Sequence, residues 1–302
     1  METRWRDVGL LMLLLVVACE RPVARNVSKP VATTNQPAAM ERAQLVTMEG
    51  VFTTSESLEY LGFRVNRRHK RVLLEGIGTN VSYGILRHGA QEIAQFDGLY
   101  HPSGNSTNFG LFPFLGGKQS QLVVEQSTQR NWRHWIIRLS PEYHVVFDSR
   151  DFGVDGELRA VDPDADGVYE IWKRVSAFYF FDNLSASDSP LVDVLFRYDA
   201  RADRYLPAGQ SLSEFSLKGI EEEIKNAYDA NEPRYESNVL HIVLRYVYAG
   251  RERDGWAYYE REFTSPKKEQ IRSDVLRMLK KERVHAFIYG GGATEGEPTK
   301  QL

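Results

Sequence analysis

The sequence contains a single cysteine, Cys19, among its 302 residues, so the chain cannot form an internal disulfide. No apolar run reaches the roughly twenty residues that cross a bilayer as a helix. The motifs HExxH and GxSxG are missing, and so are the Walker and Rossmann glycine patterns. The net charge is only −3, and nothing in the composition indicates a nucleic-acid partner. These absences argue against a disulfide scaffold, a membrane-spanning protein and the enzyme classes that such motifs mark.

The first eighteen residues, METRWRDVGLLMLLLVVA, place Arg4 and Arg6 ahead of an apolar run at 8–18. A secretory signal peptide has this pattern, with an apolar region of roughly 7–15 residues. A buried core helix is the alternative, but this run lies at the extreme N-terminus behind two arginines. We therefore predict a signal peptide at residues 1–18.

The cysteine directly follows this run, at the end of the sequence VVAC. Val16, Val17, Ala18 and Cys19 resemble the lipobox of bacterial lipoproteins, in which small residues precede a cysteine that is lipidated and becomes the mature N-terminus. The resemblance implies a lipid-anchored protein of the bacterial cell envelope that faces the periplasm or the exterior. An ordinary secretory signal with an incidental cysteine is the alternative. The polar, proline-containing remainder of 19–44 is predicted to be a flexible tether.

Three short apolar stretches recur about fifty residues apart in the next part of the chain. They are RVLLEG at 71–76, QLVVEQ at 121–126 and YEIWKR at 169–174. Each precedes a longer strand-like run, at 83–98, 134–149 and 193–208. The second and third of these runs are typical of hairpins, with turns at 140–142 and 200–202. Such spacing predicts an antiparallel β meander of propeller-like blades, or a sandwich, over 45–208. Chance similarity between β segments is the alternative.

The sequence VDPDADGVYEI at 161–171 places three aspartates on alternate positions, then a glycine and a glutamate. Calcium takes oxygen ligands from short loops of this kind, so we predict a calcium site there. The candidate ligands are Asp162, Asp164, Asp166, the Val168 carbonyl and Glu170. A solvated turn, in which the aspartates accept hydrogen bonds from backbone amides, is the alternative. A glycosidase pair is disfavoured because its two carboxyls come from separate elements about 5–10 Å apart.

The same loop resembles that of the FG-GAP or VCBS repeat, the integrin-α-like blade, in which D-x-D-x-D-G-x-x-D/E precedes an apolar strand. The match is close over 162–172 and loose over 60–208. The corresponding stretch at 110–126 has no acidic loop, and the one at 63–76 is basic where the family is acidic. The resemblance implies blade-like β repeats in which one loop retains a structural calcium ion that pins the loop and carries no chemistry.

After about residue 210 the spacing of apolar residues becomes helical. Helices are predicted within 215–230, 236–250, 253–263 and 265–284. The β-branched residues of 236–250 leave a strand as the alternative for that segment. The predicted fold class is therefore α+β, with the β meander at 45–208, a helical segment at 209–285 and a flexible tail at 286–302.

These features together predict a non-enzymatic binding or scaffold protein, anchored to a membrane, whose partner is an envelope protein or a glycan. The alternative is an envelope hydrolase whose site is assembled from residues distant in sequence. A pocket with two or more buried titratable side chains away from 162–170 would favour that alternative. His134 and His144 flank a predicted hairpin, and we expect them at the surface or at the edge of the core.

Overall fold

The computed structural model describes residues 44–225 and 234–290. Within this part of the chain the fold is α+β, with antiparallel sheets first and helices after them, as predicted. No helix in it is both long enough and apolar enough to cross a bilayer. The predicted signal peptide, the lipidation site Cys19 and the tether up to residue 43 lie outside the described residues.

The first sheet is an antiparallel meander dominated by one long hairpin, β4–β5. Its turn residues Glu75 and Gly76 both have positive φ angles, 50° and 82°. This is the geometry that matches the twist of a two-residue hairpin. The strands are β3 (Ser57–Tyr60), β4 (Phe63–Leu74), β5 (Ile77–His88) and β6 (Gln91–Phe96), paired in that order.

The second sheet is the middle layer of the β region, and both of its faces are buried. Along β8, Leu122 and Val124 join the core shared with the first sheet, whereas Val123 joins the core shared with the third sheet and the helices. Successive side chains of a strand point to opposite faces, so the apolar run at 122–124 of β8 contributes to both cores. The strands are β7 (Ser106–Phe112), β8 (Gln121–Ser127), β9 (Trp132–Arg138) and β10 (His144–Asp148), with β2 (Phe52–Thr53) beside β7.

The third sheet repeats the same plan of four consecutive antiparallel strands. The strands are β11 (Val154–Val161), β12 (Glu170–Val175), β13 (Asp193–Asp199) and β14 (Arg204–Pro207), with β1 (Val46–Thr47) beside β11. The recurring stretches at 71–76, 121–126 and 169–174 lie on β4, β8 and β12, the second strand of each meander. The predicted hairpins at 134–149 and 193–208 are confirmed as β9–β10 and β13–β14.

Six helices follow the third sheet in the described part of the chain. They are α1 (Ser213–Ser216), α2 (Ile220–Lys225), α3 (Tyr235–Tyr248), α4 (Glu252–Glu262), α5 (Lys268–Leu279) and α6 (Arg283–Tyr289). α3 has nine buried residues and is the most deeply packed of them. Gly250 ends it with a φ of 77°, as is common just after a helix. Gly255 lets α4 pack closely against α3, since a Cβ there would lie 2.8 Å from the Val243 carbonyl oxygen.

Two boundaries predicted in the helical region are wrong. The helix predicted within 265–284 is present as α5, but it ends at Leu279. Residues 283 and 284 begin α6 instead, because the Glu282 carboxylate accepts hydrogen bonds from the Val284 and His285 amides. The predicted tail at 286–302 begins too early, since α6 continues to Tyr289, whose hydroxyl donates to the Val247 carbonyl at 2.6 Å. Residues 226–233 and 291–302 lie outside the described part of the chain.

One buried tyrosine ties the second and third sheets together. Tyr205 on β14 is fully buried, and its hydroxyl donates to the Tyr169 carbonyl at 2.7 Å and lies 3.4 Å from the Phe114 carbonyl. Phe114 belongs to the β7–β8 connection, whereas Tyr169 directly precedes β12. The hydroxyl thus donates to a carbonyl beside the third sheet and lies close to one in a connection of the second sheet.

We expect Tyr205→Phe to lower the free energy of unfolding by about 1–3 kcal/mol, because the Tyr169 carbonyl loses its hydroxyl donor. Chemical denaturation followed by tryptophan fluorescence measures this loss. Tyr83→Phe is the control, since the Tyr83 hydroxyl makes no hydrogen bond among the described residues. An equal loss in both variants would contradict the assigned role of Tyr205.

Candidate functional site

The acidic loop, residues 162–169, joins β11 to β12 at one end of the third sheet. Asp162 directly follows β11, and Glu170 begins β12. Ala165 and Gly167 adopt left-handed conformations, with φ angles of 58° and 86°, and these fold the loop back on itself. One carboxylate oxygen from each of the three aspartates therefore lies within 4.8 Å of the others.

Backbone amides of the loop bind two of the three aspartates. The Asp162 carboxylate accepts from the Asp166 amide at 3.2 Å and from the Gly167 amide at 3.0 Å. Asp166 accepts from the amide of Val168, a half-buried residue, at 2.7 Å. These bonds are those of an acidic turn, yet a carboxylate oxygen has two lone pairs and can accept more than one partner. The turn geometry is therefore compatible with an ion bound by the same aspartates.

The carboxylates of Asp164 and Glu170 are only partly hydrogen-bonded. Arg197 on β13 donates to Asp164 Oδ2 at 2.9 Å, and its Nε lies 3.4 Å from Glu170 Oε1. The other two oxygens, Asp164 Oδ1 and Glu170 Oε2, are buried and have no hydrogen-bond partner among the described residues. Glu170 is only 1% exposed. A buried acceptor without a partner costs about 1–3 kcal/mol, so these two oxygens mark a position where a further positive group fits.

The raised pKa values of two carboxyl groups also indicate that a positive group fits at this position. Burial raises the pKa of the Glu170 carboxyl to about 8, and the neighbouring Asp164 carboxylate adds to the shift. Burial also raises the pKa of Asp162, with Asp166 and Asp164 contributing. Arg197 therefore only partly compensates the negative charge at this end of the sheet. A bound cation would take the place of the proton on Glu170, as metal binding does at carboxylate ligands.

A neighbouring connection fixes the position of the loop. The Tyr169 amide donates to the Phe114 carbonyl at 2.8 Å. Gly116, with a φ of 69°, packs so closely that a Cβ there would lie 2.6 Å from the Gly167 carbonyl oxygen. Because Phe114 and Gly116 belong to the second sheet's β7–β8 connection, the acidic loop is part of the contact between two sheets.

All the groups gathered here are oxygen donors, which is the ligand set of a hard cation such as calcium. The structure brings Asp162, Asp164 and Asp166 together and keeps Glu170 beside Asp164. Val168 lies in the same loop. Three clustered aspartates can hold an ion.

A second group of titratable side chains lies between the second and third sheets. We call Glu125, His134 and Lys173 the buried polar cluster. Lys173 Nζ lies 2.9 Å from His134 Nδ1 and donates to the Gly156 carbonyl. His134 Nε2 lies 3.0 Å from a Glu125 carboxylate oxygen. The histidine therefore donates from Nε2 to the carboxylate and accepts at Nδ1 from the lysine.

Burial dominates the ionisation of the cluster. Both His134 and Lys173 are fully buried, which lowers the pKa of Lys173 to about 7 against the opposing effect of the Asp155 and Glu125 carboxylates. Burial, together with the Lys173 charge, lowers the pKa of His134 to about 4. Hydrogen bonding to His134 keeps the pKa of Glu125 below its usual range despite burial.

Of the cluster, only Glu125 borders open space. It is among the residues that line a groove of about 700 Å³ beside β2 and β7, together with Arg67 and Trp132. Its side chain is 12% exposed, while that of His134 is inaccessible. The remaining carboxylate oxygen of Glu125 accepts a hydrogen bond from the side-chain amide of Asn108 at 2.9 Å. The cluster therefore holds the two sheets together more than it presents reactive groups.

The sequence contained a signal for this cluster. Strand alternation places Lys173 on the same face of β12 as Ile171 and Val175, which are both fully buried. The expectation that His134 lies at the surface or core edge is wrong for the same reason, since it shares a face of β9 with buried Ile136. His144 does lie near the surface, with 42% of its side chain exposed.

Comparisons of the chain with protein-family models, with curated proteins and with solved structures give no match. We therefore interpret both groups of residues from their own geometry.

We expect Lys173→Met to flatten the pH dependence of stability between pH 7 and 9. With a folded pKa near 7 and an unfolded value near 10.5, Lys173 binds more protons in the unfolded chain across this window, so the free energy of unfolding rises with pH. The wild type should gain about 2 kcal/mol from pH 7 to 9 through this group, and the variant should lack that gain. Denaturant unfolding at each pH measures it.

Lys70→Met is the matched control, because pairing with Asp97 raises the pKa of Lys70 and keeps it charged throughout the same window. Its pH slope should equal that of the wild type. If Lys173→Met also keeps the wild-type slope, Lys173 does not titrate in this range and the cluster is charged throughout it.

Proposed function

We propose that this protein is a lipid-anchored binding or scaffold protein of the bacterial cell envelope with one structural calcium site, at residues 162–170. The observation that carries the calcium site is the pair of buried oxygens on Asp164 and Glu170 without partners among the described residues. The VVAC sequence ending at Cys19 supports the lipid anchor.

The ion would be held by the carboxylates of the three aspartates and Glu170, with the Val168 carbonyl as a further oxygen ligand. When bound, calcium supplies positive charge and fixes the positions of its ligands; it does not activate a substrate. Because the loop also contacts the connection at 113–120, fixing it would strengthen the contact between the second and third sheets. Extracellular modules of this kind bind calcium at about 10⁻⁴–10⁻³ M.

We propose further that the three meanders are blade-like repeats of the FG-GAP type. Each contains four consecutive antiparallel strands, and the recurring sequence stretches occupy the second strand in each. The acidic loop precedes the second strand of the third meander. Sheets of this kind, packed face to face, suit a protein that presents connecting loops to a partner, which we propose is an envelope protein or a glycan.

An envelope hydrolase is the alternative function, and the buried polar cluster is the observation in its favour. It supplies two buried titratable side chains away from 162–170, and Glu125 borders a groove. However, both ring nitrogens of His134 are occupied within the cluster, and neither His134 nor Lys173 is accessible. A binding or scaffold function therefore fits this arrangement better than catalysis does.

Calcium should raise the thermal stability of the chain 20–302, which lacks the acylated cysteine. At ten times its Kd, a ligand adds about 1.4 kcal/mol, which corresponds to a rise in Tm of roughly 3–6 °C for a domain of this size. We expect this rise between EGTA and millimolar calcium in the wild type and no rise in Asp164→Ala. Differential scanning calorimetry measures it.

Two further variants sharpen the comparison. Asp254→Ala removes an exposed aspartate on α4 that pairs with Arg251, and it should keep the full response to calcium. Arg197→Gln removes the guanidinium beside Asp164 and Glu170, so it should lower Tm in EGTA and enlarge the rise with calcium. No calcium response in either the wild type or Arg197→Gln would identify the loop as an acidic turn only.

Cys19→Ala should abolish lipidation and move the protein from the membrane fraction to the soluble fraction of a bacterial host. Incorporation of radiolabelled palmitate and cell fractionation measure the two effects. Ser28→Ala in the tether leaves VVAC intact and should behave as the wild type does. A wild-type chain that carries no label and remains soluble would instead indicate an ordinary secretory signal.

A further inference from the structure

The β4–β5 hairpin extends well beyond its neighbours in the first sheet. β3 pairs with β4 no farther than Asn66, and β6 pairs with β5 no farther than Gly84. The Thr79 hydroxyl donates to the Pro102 carbonyl at 3.1 Å, which supports the ribbon close to its end. We call residues 72–78, beyond that bond, the hairpin tip.

The hairpin tip exposes large apolar side chains. Leu73 is 75% exposed and Ile77 is 56% exposed. The other exposed large apolar residues of the described part include Phe180, at 59%, and Leu61, at 47%, and these two lie elsewhere in the structure. Leu73 pairs with Gly78, and Leu74 pairs with Ile77, so the Leu73 and Ile77 side chains project from opposite faces of the two-stranded ribbon. Together they make both faces of the turn apolar, and we call this pair of side chains the wedge.

Exposed arginines lie on the stem of the hairpin behind the wedge. Arg68 and Arg71 are exposed on β4, opposite Tyr83 and Asn80 of β5, and neither arginine has an ion-pair partner among the described residues. The Arg71 guanidinium lies against Gly78, where a Cβ would be 2.6 Å from its Nη2 atom. Because Gly78 has no side chain, the Arg71 guanidinium fits beside it, directly behind the apolar turn. Glu75 is the one acidic residue of the tip.

The small size of the hairpin tip indicates which kind of surface it can bind. A stable protein interface buries roughly 800 Å² and about 20–30 residues on each side, whereas the tip offers a single turn. Binding to a lipid surface requires a smaller contact area, since a few apolar side chains can enter the acyl boundary while arginines contact anionic headgroups. Arginine stems also reach along such a boundary with their charged ends in water.

We propose that the hairpin tip inserts into an anionic lipid surface, with Leu73 and Ile77 entering the acyl boundary and Arg68 and Arg71 binding the headgroups. This contact is a second attachment to the membrane and depends neither on acylation of Cys19 nor on calcium. It would hold the first sheet against the bilayer and leave the third sheet and its acidic loop for other partners.

The chain 20–302 contains no cysteine, so Leu73→Cys provides a unique labelling position at the tip. An environment-sensitive fluorophore there should shift to shorter wavelengths with vesicles of phosphatidylcholine and phosphatidylglycerol, but not with phosphatidylcholine alone. Leu61→Cys, labelled in the same way, lies at the turn between β3 and β4, at the opposite end of β4, and should show no shift. All measurements are made in EGTA.

Co-sedimentation of unlabelled variants with the anionic vesicles separates the two contributions. Leu73→Asn with Ile77→Asn should weaken binding by about tenfold for each residue. Arg68→Gln with Arg71→Gln should weaken it by about fivefold for each residue and reduce its sensitivity to salt. Leu61→Asn is the matched control, because Leu61 is exposed with a φ of 53°, which asparagine tolerates.

Absence of a shift at position 73 with anionic vesicles would overturn the proposal. Equal vesicle binding by the wild type and the Leu73→Asn, Ile77→Asn variant, with wild-type thermal stability, would overturn it too. Binding of the labelled tip to a purified envelope protein but not to vesicles would assign the tip to a protein partner instead. Because acylation is absent and calcium is chelated, none of these results bears on the calcium site or on Cys19.

Discussion

Burial of the second sheet on both faces is the constraint on which the rest of the structure depends. A sheet with one face in water alternates apolar and polar residues, but β8 is buried at six of its seven positions. Its two faces must therefore be covered by separate layers. The first sheet covers one face, and the third sheet covers the other, continuous with the core of the helical segment. The order of the three meanders along the chain makes this stacking direct, because each meander ends where the next begins.

The same constraint explains the buried polar cluster. Glu125 and His134 lie at inward positions of the middle sheet, and Lys173 faces them from the third sheet. Buried charges are costly unless they are paired and hydrogen-bonded, so these three side chains are compatible with the core only as a connected set. The Gly156 carbonyl completes the set by accepting from Lys173, and it is available because the β11–β12 pairing is irregular between Asp155 and Arg159. The cluster thus contributes specificity to the packing of two sheets.

The edges of the stack are less constrained, and there the chain carries the features that suggest function. The acidic loop leaves the third sheet where the β7–β8 connection can support it. One carboxylate oxygen of Asp164 in this loop and one of Glu170 directly after it have no partner among the described residues. The hairpin tip leaves the first sheet where no other strand accompanies it. Calcium binding and lipid contact would act on different sheets, because a buried middle layer separates the two.

The sequence by itself determined the class of fold and the hairpins β9–β10 and β13–β14, since each rests on local periodicity and turn residues. It also placed the three aspartates in one loop. Only the tertiary structure decided that Arg197 lies beside Asp164 and Glu170, that Tyr205 reaches the Phe114 carbonyl, and that His134 meets Lys173. Each of these contacts joins residues far apart in the chain, and their positions follow from how the sheets stack. Local sequence patterns specify which face of a strand is buried, but not which side chains it will meet there.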